Sequence, residues 1–195
     1  MKSNKRHSLS FRSIALLLAI ISLCLVIFAG CTEKPLTDEV VIGIAWRGDT
    51  DSEFYTNIVD AVEEAGGKPV LLEQVKADYL TYDSENALLD CTDEVGGLTL
   101  ETANVIKENL WENTNVEDVM QGIDAVIFTG GEDISSSLYE KPKPWHGIEA
   151  EIDFNATRDT SDYILMSYCI EKNIAVVGFC RGMQMLAVVS GAEMI

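Results

Sequence analysis

Between residues 40 and 195 the apolar positions fall into two kinds of run. Short unbroken stretches at 40–45 (VVIGIA) and 175–179 read as buried strands, and those at 69–72 and 125–128 as further short strands. Between them lie segments with helical spacing. In 53–65, Tyr55, Ile58, Val62 and Ala65 share one face, Asp49 to Ser52 offer N-caps, and Gly66-Gly67 ends the helix. In 102–111, Ala103, Ile106 and Leu110 align. Asn115 caps a short helix that Gln121-Gly122 breaks. Thr157 caps a longer one over about 158–172, with Asn173 as its left-handed stop, and 183–189 continues as a last apolar helix. Strand, helix and strand in alternation predict an α/β fold: a doubly wound, mostly parallel sheet with flanking helices. Residues 73–116 fit this rhythm poorly. They read as an insertion, serving as a lid or partner surface or as a solvated decoration.

The first 30 residues have a different pattern. Residues 2–13 are basic and polar, 14–29 are almost unbroken apolar sequence, and Gly30-Cys31 follows. Charged, apolar and small-residue regions in that order are the plan of a secretory signal. Phe28-Ala29-Gly30-Cys31 resembles a bacterial lipobox, with phenylalanine where leucine is usual. That resemblance implies acylation of Cys31, a tether over 31–39, and an exported protein lipid-anchored to the bacterial membrane. The alternative is an uncleaved membrane anchor, since the run is near the short limit for crossing a bilayer.

Charge narrows the partners. The whole chain carries −18, and the leader's Lys2, Lys5, Arg6 and Arg12 meet no acid, so the remainder is four units more negative still. Such a surface repels nucleic acid. A homodimer is compatible with the sequence. The cysteines are Cys24, Cys31, Cys91, Cys169 and Cys180; none forms a CxxC pair, so no zinc site or dithiol motif is expected. Nothing in the sequence brings Cys91 to Cys169. The histidines are His7 and His146, and the latter sits in a Pro-rich loop beside Trp145.

The candidate chemistry lies at Gly178-Phe179-Cys180-Arg181-Gly182-Met183-Gln184. A strand stops at a cysteine between two glycines and a helix starts at once. This is the thiol form of a nucleophile elbow. The turn is strained, so its flanks must be small. Cys180 then sits at a helix N-terminus, where free N–H groups and the dipole favour the thiolate. The Arg181 N–H would face a developing oxyanion. Two glycines, Gly130 and Gly131, close the preceding strand and let backbone approach a ligand.

Three blocks, Val126 to Ile134 (VIFTGGEDI), Arg158-Asp159 and the elbow itself, resemble the class I glutamine amidotransferase-like hydrolases, and within them the gamma-glutamyl-gamma-aminobutyrate hydrolase group, peptidase C26. The resemblance implies a flavodoxin-like fold and hydrolysis of gamma-glutamyl amides through a thioester on Cys180, without metal or organic cofactor. It implies that Gly130 or Gly131 supplies the second oxyanion-hole N–H beside Arg181. It places Asp133, Arg158, Asp159 and Gln184 at the substrate end, with a structural ion pair as the alternative role for Arg158. Relatives often carry a proline after Asp133, where this chain has Ser135-Ser136-Ser137. In the family a histidine and its acidic partner follow well after the elbow, and neither His7 nor His146 occupies that place. The expectation is therefore a C-terminally truncated piece of a longer hydrolase, inactive or very weak for lack of a base. The alternatives are a glutaminase subunit of an amidotransferase and a non-catalytic, small-ligand-binding lipoprotein.

Overall fold

The computed structural model describes residues 39–48, 53–142, 147 and 151–193. The leader, Cys31, the N-cap candidates 49–52 and both histidines lie outside the described residues. Four strands form one sheet: β1 (Val41–Ile44), β2 (Lys68–Leu71), β3 (Ala125–Phe128) and β4 (Ala175–Gly178). Their order is β2-β1-β3-β4 and every pairing is parallel. The chain first moves one way from β1 to β2 and then returns to the other side for β3 and β4. This reversal makes the sheet doubly wound, and the carboxyl ends of all four strands share one edge.

The helices are α1 (Glu53–Glu64), α2 (Leu100–Asn109), α3 (Val116–Val119), α4 (Ala156–Glu171) and α5 (Arg181–Val189). Tyr55 and Val62 of α1 are buried as the spacing predicts, and Gly66 ends the helix at φ +84°. Asn173 takes φ +55° after α4. Asn155, not Thr157, caps α4, accepting from the Arg158 N–H. Thr157 Oγ1 instead accepts from the Leu88 N–H at 2.9 Å. Leu110 does not join the buried face of α2; it is the exposed residue that ends the helix, at φ +53°. No described helix is long and apolar enough to cross a membrane.

Val126, Phe128, Ile164, Leu165, Met166, Met185 and Val188 belong to the core, where α5 packs on β3 and β4 and α4 packs on α5. On the opposite face α1 covers only part of the sheet, leaving Val177 51% and Phe179 50% exposed. An apolar groove of about 400 Å³ runs there, lined by Ile58, Ala61, Ala65, Ile127 and Phe179.

Residues 73–116 are not merely solvated decoration. Val75, Ala77, Leu88, Leu98, Ala103, Ile106 and Val116 all enter the core. The loop before α2 consists of two successive turns of the same build, ten residues apart. Asp83 Oδ1 accepts from the N–H groups of Glu85 and Ala87, and Asp93 Oδ1 accepts from those of Val95 and Gly97. Asn86 and Gly96 take the left-handed position in each. Each turn then delivers a leucine, Leu88 or Leu98, to the core. An aspartate that bonds its own downstream amides fixes such a turn without regular secondary structure. These turns reach the site: the Leu98 N–H donates to Ser135 Oγ at 2.8 Å.

Candidate active site

Cys180 stands two residues beyond β4 and caps α5, with φ +48° and ψ −106°. Non-glycine residues rarely adopt this conformation, and it is held here by close packing on both sides. A Cβ on Gly178 would come within 2.6 Å of the Gly182 carbonyl carbon and 2.7 Å of the Met183 nitrogen. A Cβ on Gly182 would overlap the backbone and side chain of Phe128. The obstructing atoms in the elbow are backbone, which cannot swing aside. The two glycines are therefore required by the approach of strand, turn and helix. The thiol itself is exposed at the carboxyl edge of the sheet.

The loop leaving β3 lies beside it. A Cβ on Gly130 would stand 3.5 Å from Cys180 Cβ, and Gly131 adopts φ +142°, which favours glycine. Among the described residues, the backbone N–H groups of Gly130, Gly131 and Arg181 have no backbone acceptor. Gly130 thus stands next to Cys180 in the fold. Gln184 follows on the first turn of α5, half-buried, and Asp133 is exposed, its N–H donating to the Asp153 carbonyl.

Behind the loop lies a buried ionic network. Arg158 and Arg181 are both 0% exposed. Arg158 pairs with Glu132 through Nη1, approaches Asp162 Oδ2 at 3.5 Å through Nε, and donates from Nη2 to Thr129 Oγ1 and the Gly130 carbonyl, each at 2.9 Å. Arg181 donates to Asp159 Oδ1 at 2.7 Å, to Asp162 Oδ2 at 3.3 Å and to the Glu132 carbonyl at 3.1 Å. Asp159 also accepts from the N–H and hydroxyl of Ser135. The network ties α4, the loop and the elbow together. Planar guanidinium forks with several donors suit such a junction; a lysine would not replace them.

This burial corrects the expected substrate contacts. Arg158 and Asp159 have no exposed face; both carboxylate oxygens of Asp159 and both Nη atoms of Arg158 are hydrogen-bonded within the protein, and Arg158 Nε has only its ionic approach to Asp162. The ion-pair alternative fits the geometry of Arg158. The Arg181 side chain points inward too, so only its backbone faces the site. Burial alone would weaken Arg181's hold on its proton, but Asp162 and Asp159 outweigh it and raise its pKa. Burial raises the Asp162 pKa against the pull of both arginines. For Glu132 burial acts upward as well, yet its backbone hydrogen bond, the charge of Arg158 and the bonds from Arg158 and Asn155 prevail, and the net shift is down.

Glu132, Asp162, Ser135 and Thr129 escape the sequence reading. A signal for one pair exists: Arg158 and Asp162 stand four apart on a helix. The Ser135 hydroxyl joins Leu98 to Asp159.

A thiol elbow at the carboxyl edge of a parallel α/β sheet defines the hydrolase and amidotransferase class of architecture. Comparison with known proteins agrees. Residues 101–195 match the family model Peptidase C26. NtpR of Enterococcus hirae is 38% identical over 72 residues, 37% of this chain and 28% of that protein. RP404 of Rickettsia prowazekii, described as glutamine amidotransferase-like, is 30% identical over 86 residues, 44% of this chain and 29% of that protein. YvdE of Lactococcus lactis, described in the same way, is 31% identical over 81 residues, 41% of this chain and 32% of that protein. The chain thus spans under a third of the length of these curated relatives. The matches support the glutamine amidotransferase-like superfamily and a hydrolase or amidotransferase type of function.

Proposed function

We propose that the protein is a cysteine hydrolase of gamma-glutamyl amide bonds. The observation that carries this reading is the strained Cys180 at the N-terminus of α5, beside the Gly130 loop. Sulfur adds to the amide carbonyl, and the resulting oxyanion is met by the N–H of Arg181 and by that of Gly130 or Gly131. The C–N bond then breaks, and the amine leaves with the proton that the thiol gave up. Water cleaves the thioester, releases glutamate and restores the thiol. Gln184, on the first turn of α5, and the exposed Asp133 serve as the substrate contacts. The proton carrier that the resemblance calls for is a histidine with an acidic partner, and the described residues include no histidine. Full turnover needs such a proton carrier, while acylation of Cys180 is open to a good leaving group. Release of p-nitroaniline from gamma-glutamyl p-nitroanilide, lost in Cys180→Ser, supports this function; release that survives the substitution rejects it.

A second reading, favoured by the names of two relatives, is a glutaminase serving an amidotransferase. Co-purification of a synthase would support it. Export weighs against it, because ammonia delivery to a biosynthetic enzyme has little use outside the cytoplasm. Export itself rests on the leader and Cys31; loss of membrane partition in Cys31→Ala is the expected result.

A further inference from the structure

We propose that Arg158 is a positioning residue that sets the peptide planes of the oxyanion loop. The inference rests on the reading of Cys180 as nucleophile. Arg158 divides its donors between two tasks. Nη1 and Nε face Glu132 and Asp162 and hold the guanidinium in place. Nη2 is given wholly to the loop: Thr129 Oγ1 at 2.9 Å, the Gly130 carbonyl at 2.9 Å and the Thr129 carbonyl at 3.4 Å.

Those carbonyls fix the amides that follow them. In a trans peptide the C=O and the next N–H point in opposite directions, and none of the described peptides is cis. Holding the carbonyls of Thr129 and Gly130 toward Arg158 therefore turns the N–H groups of Gly130 and Gly131 away from it. Away from Arg158 is toward the cysteine. A Cβ on Gly130 would meet Cys180, whereas a Cβ on Gly131 would overlap the Arg158 guanidinium, with Cζ at 3.2 Å. The loop thus runs between the two side chains. The buried positive charge also polarises the same peptide groups, which strengthens their N–H ends as donors. A lysine offers a point charge without a fork and cannot hold this arrangement.

The role predicts a split between two reactions of Cys180. Alkylation by iodoacetamide needs the thiolate but no oxyanion. Acylation by gamma-glutamyl p-nitroanilide needs both. Both rates are measured on the full chain for wild type and Arg158→Lys, with urea unfolding as a check on the fold. The expected result is roughly tenfold or more slower acylation with alkylation within about twofold of wild type. Equal loss in both reactions, or no loss in acylation, overturns the inference and leaves the hydrolase reading standing. A wild-type thiol that alkylates but never acylates defeats the hydrolase reading, and this inference with it. If Arg158→Lys fails to fold, Thr129→Val decides, because it removes one Nη2 acceptor, along with that hydroxyl's long 3.4 Å bond to the Gly130 carbonyl, and keeps every charge. A selective fall in acylation of about threefold or more supports the role, and an unchanged ratio overturns it.

Discussion

Replacing Cys180 by glycine should stabilise the protein relative to replacing it by alanine. At an ordinary position the order is reversed, because glycine loses about 0.5–1 kcal/mol more backbone entropy on folding. Here the backbone sits at φ +48° and ψ −106°, where a Cβ is strained. Residues held in such sparsely populated conformations cost about 1–3 kcal/mol. The thiol is exposed, so its removal changes little buried area in either variant. Strain relief minus glycine entropy leaves Cys180→Gly ahead of Cys180→Ala by about 1 kcal/mol, with an upper limit of roughly 2.5 kcal/mol. Urea unfolding of the two variants at equal m-value measures the difference directly. If Cys180→Ala proves as stable as Cys180→Gly or more so, the elbow is not strained and the argument from its geometry fails.

Gly182→Ala should cost about 1–3 kcal/mol despite alanine's better helix propensity, because its Cβ meets Phe128 backbone; a neutral result in urea unfolding would contradict the packing. Glu132 has a folded pKa below its ordinary value of 4.5, so its contribution is present above that value and lost as pH falls through the folded pKa. Stability of Glu132→Gln should therefore fall less steeply toward acid pH than that of wild type, and identical slopes would remove Glu132 from the network. Cys169 is buried, which pushes its thiol up to about 12, so iodoacetamide should modify Cys180 long before Cys169 in the folded protein. Mapping of labelled peptides checks this, and early modification of Cys169 would contradict its burial. Asp93→Ala should destabilise by about 1–2 kcal/mol through loss of the turn that docks Leu98 on Ser135; hydrogen exchange at the Leu98 amide should rise, and unchanged protection would deny that link.

The strands and the elbow are legible because each is a local signal. An apolar run of strand length ends in glycines, and a cysteine stands between them. The network behind the loop is not legible, because its members are far apart in sequence. Glu132 meets Arg158 across 26 residues, and Ser135 meets Leu98 across 37. Arg158 illustrates the difference. An exposed arginine near a substrate site binds carboxylates, and a buried one holds structure; the sequence alone does not say which surrounds it. The loop of residues 73–99 misleads for a further reason. Its polar composition suggests solvent, but Asp83 and Asp93 spend their carboxylates on their own turns. That frees the intervening leucines to pack. The repeat of aspartate, left-handed residue, small residue and leucine is present in the sequence and would have revealed it.

The proposed function requires Cys180 to form a thioester with a gamma-glutamyl group. The direct measurement is acid quenching of the protein with gamma-glutamyl p-nitroanilide, followed by peptide mass spectrometry. The account predicts a gamma-glutamyl adduct on the peptide that carries Cys180, absent from Cys180→Ser and released by hydroxylamine. An adduct on another residue, or an unmodified Cys180 in a protein that releases p-nitroaniline, would contradict it.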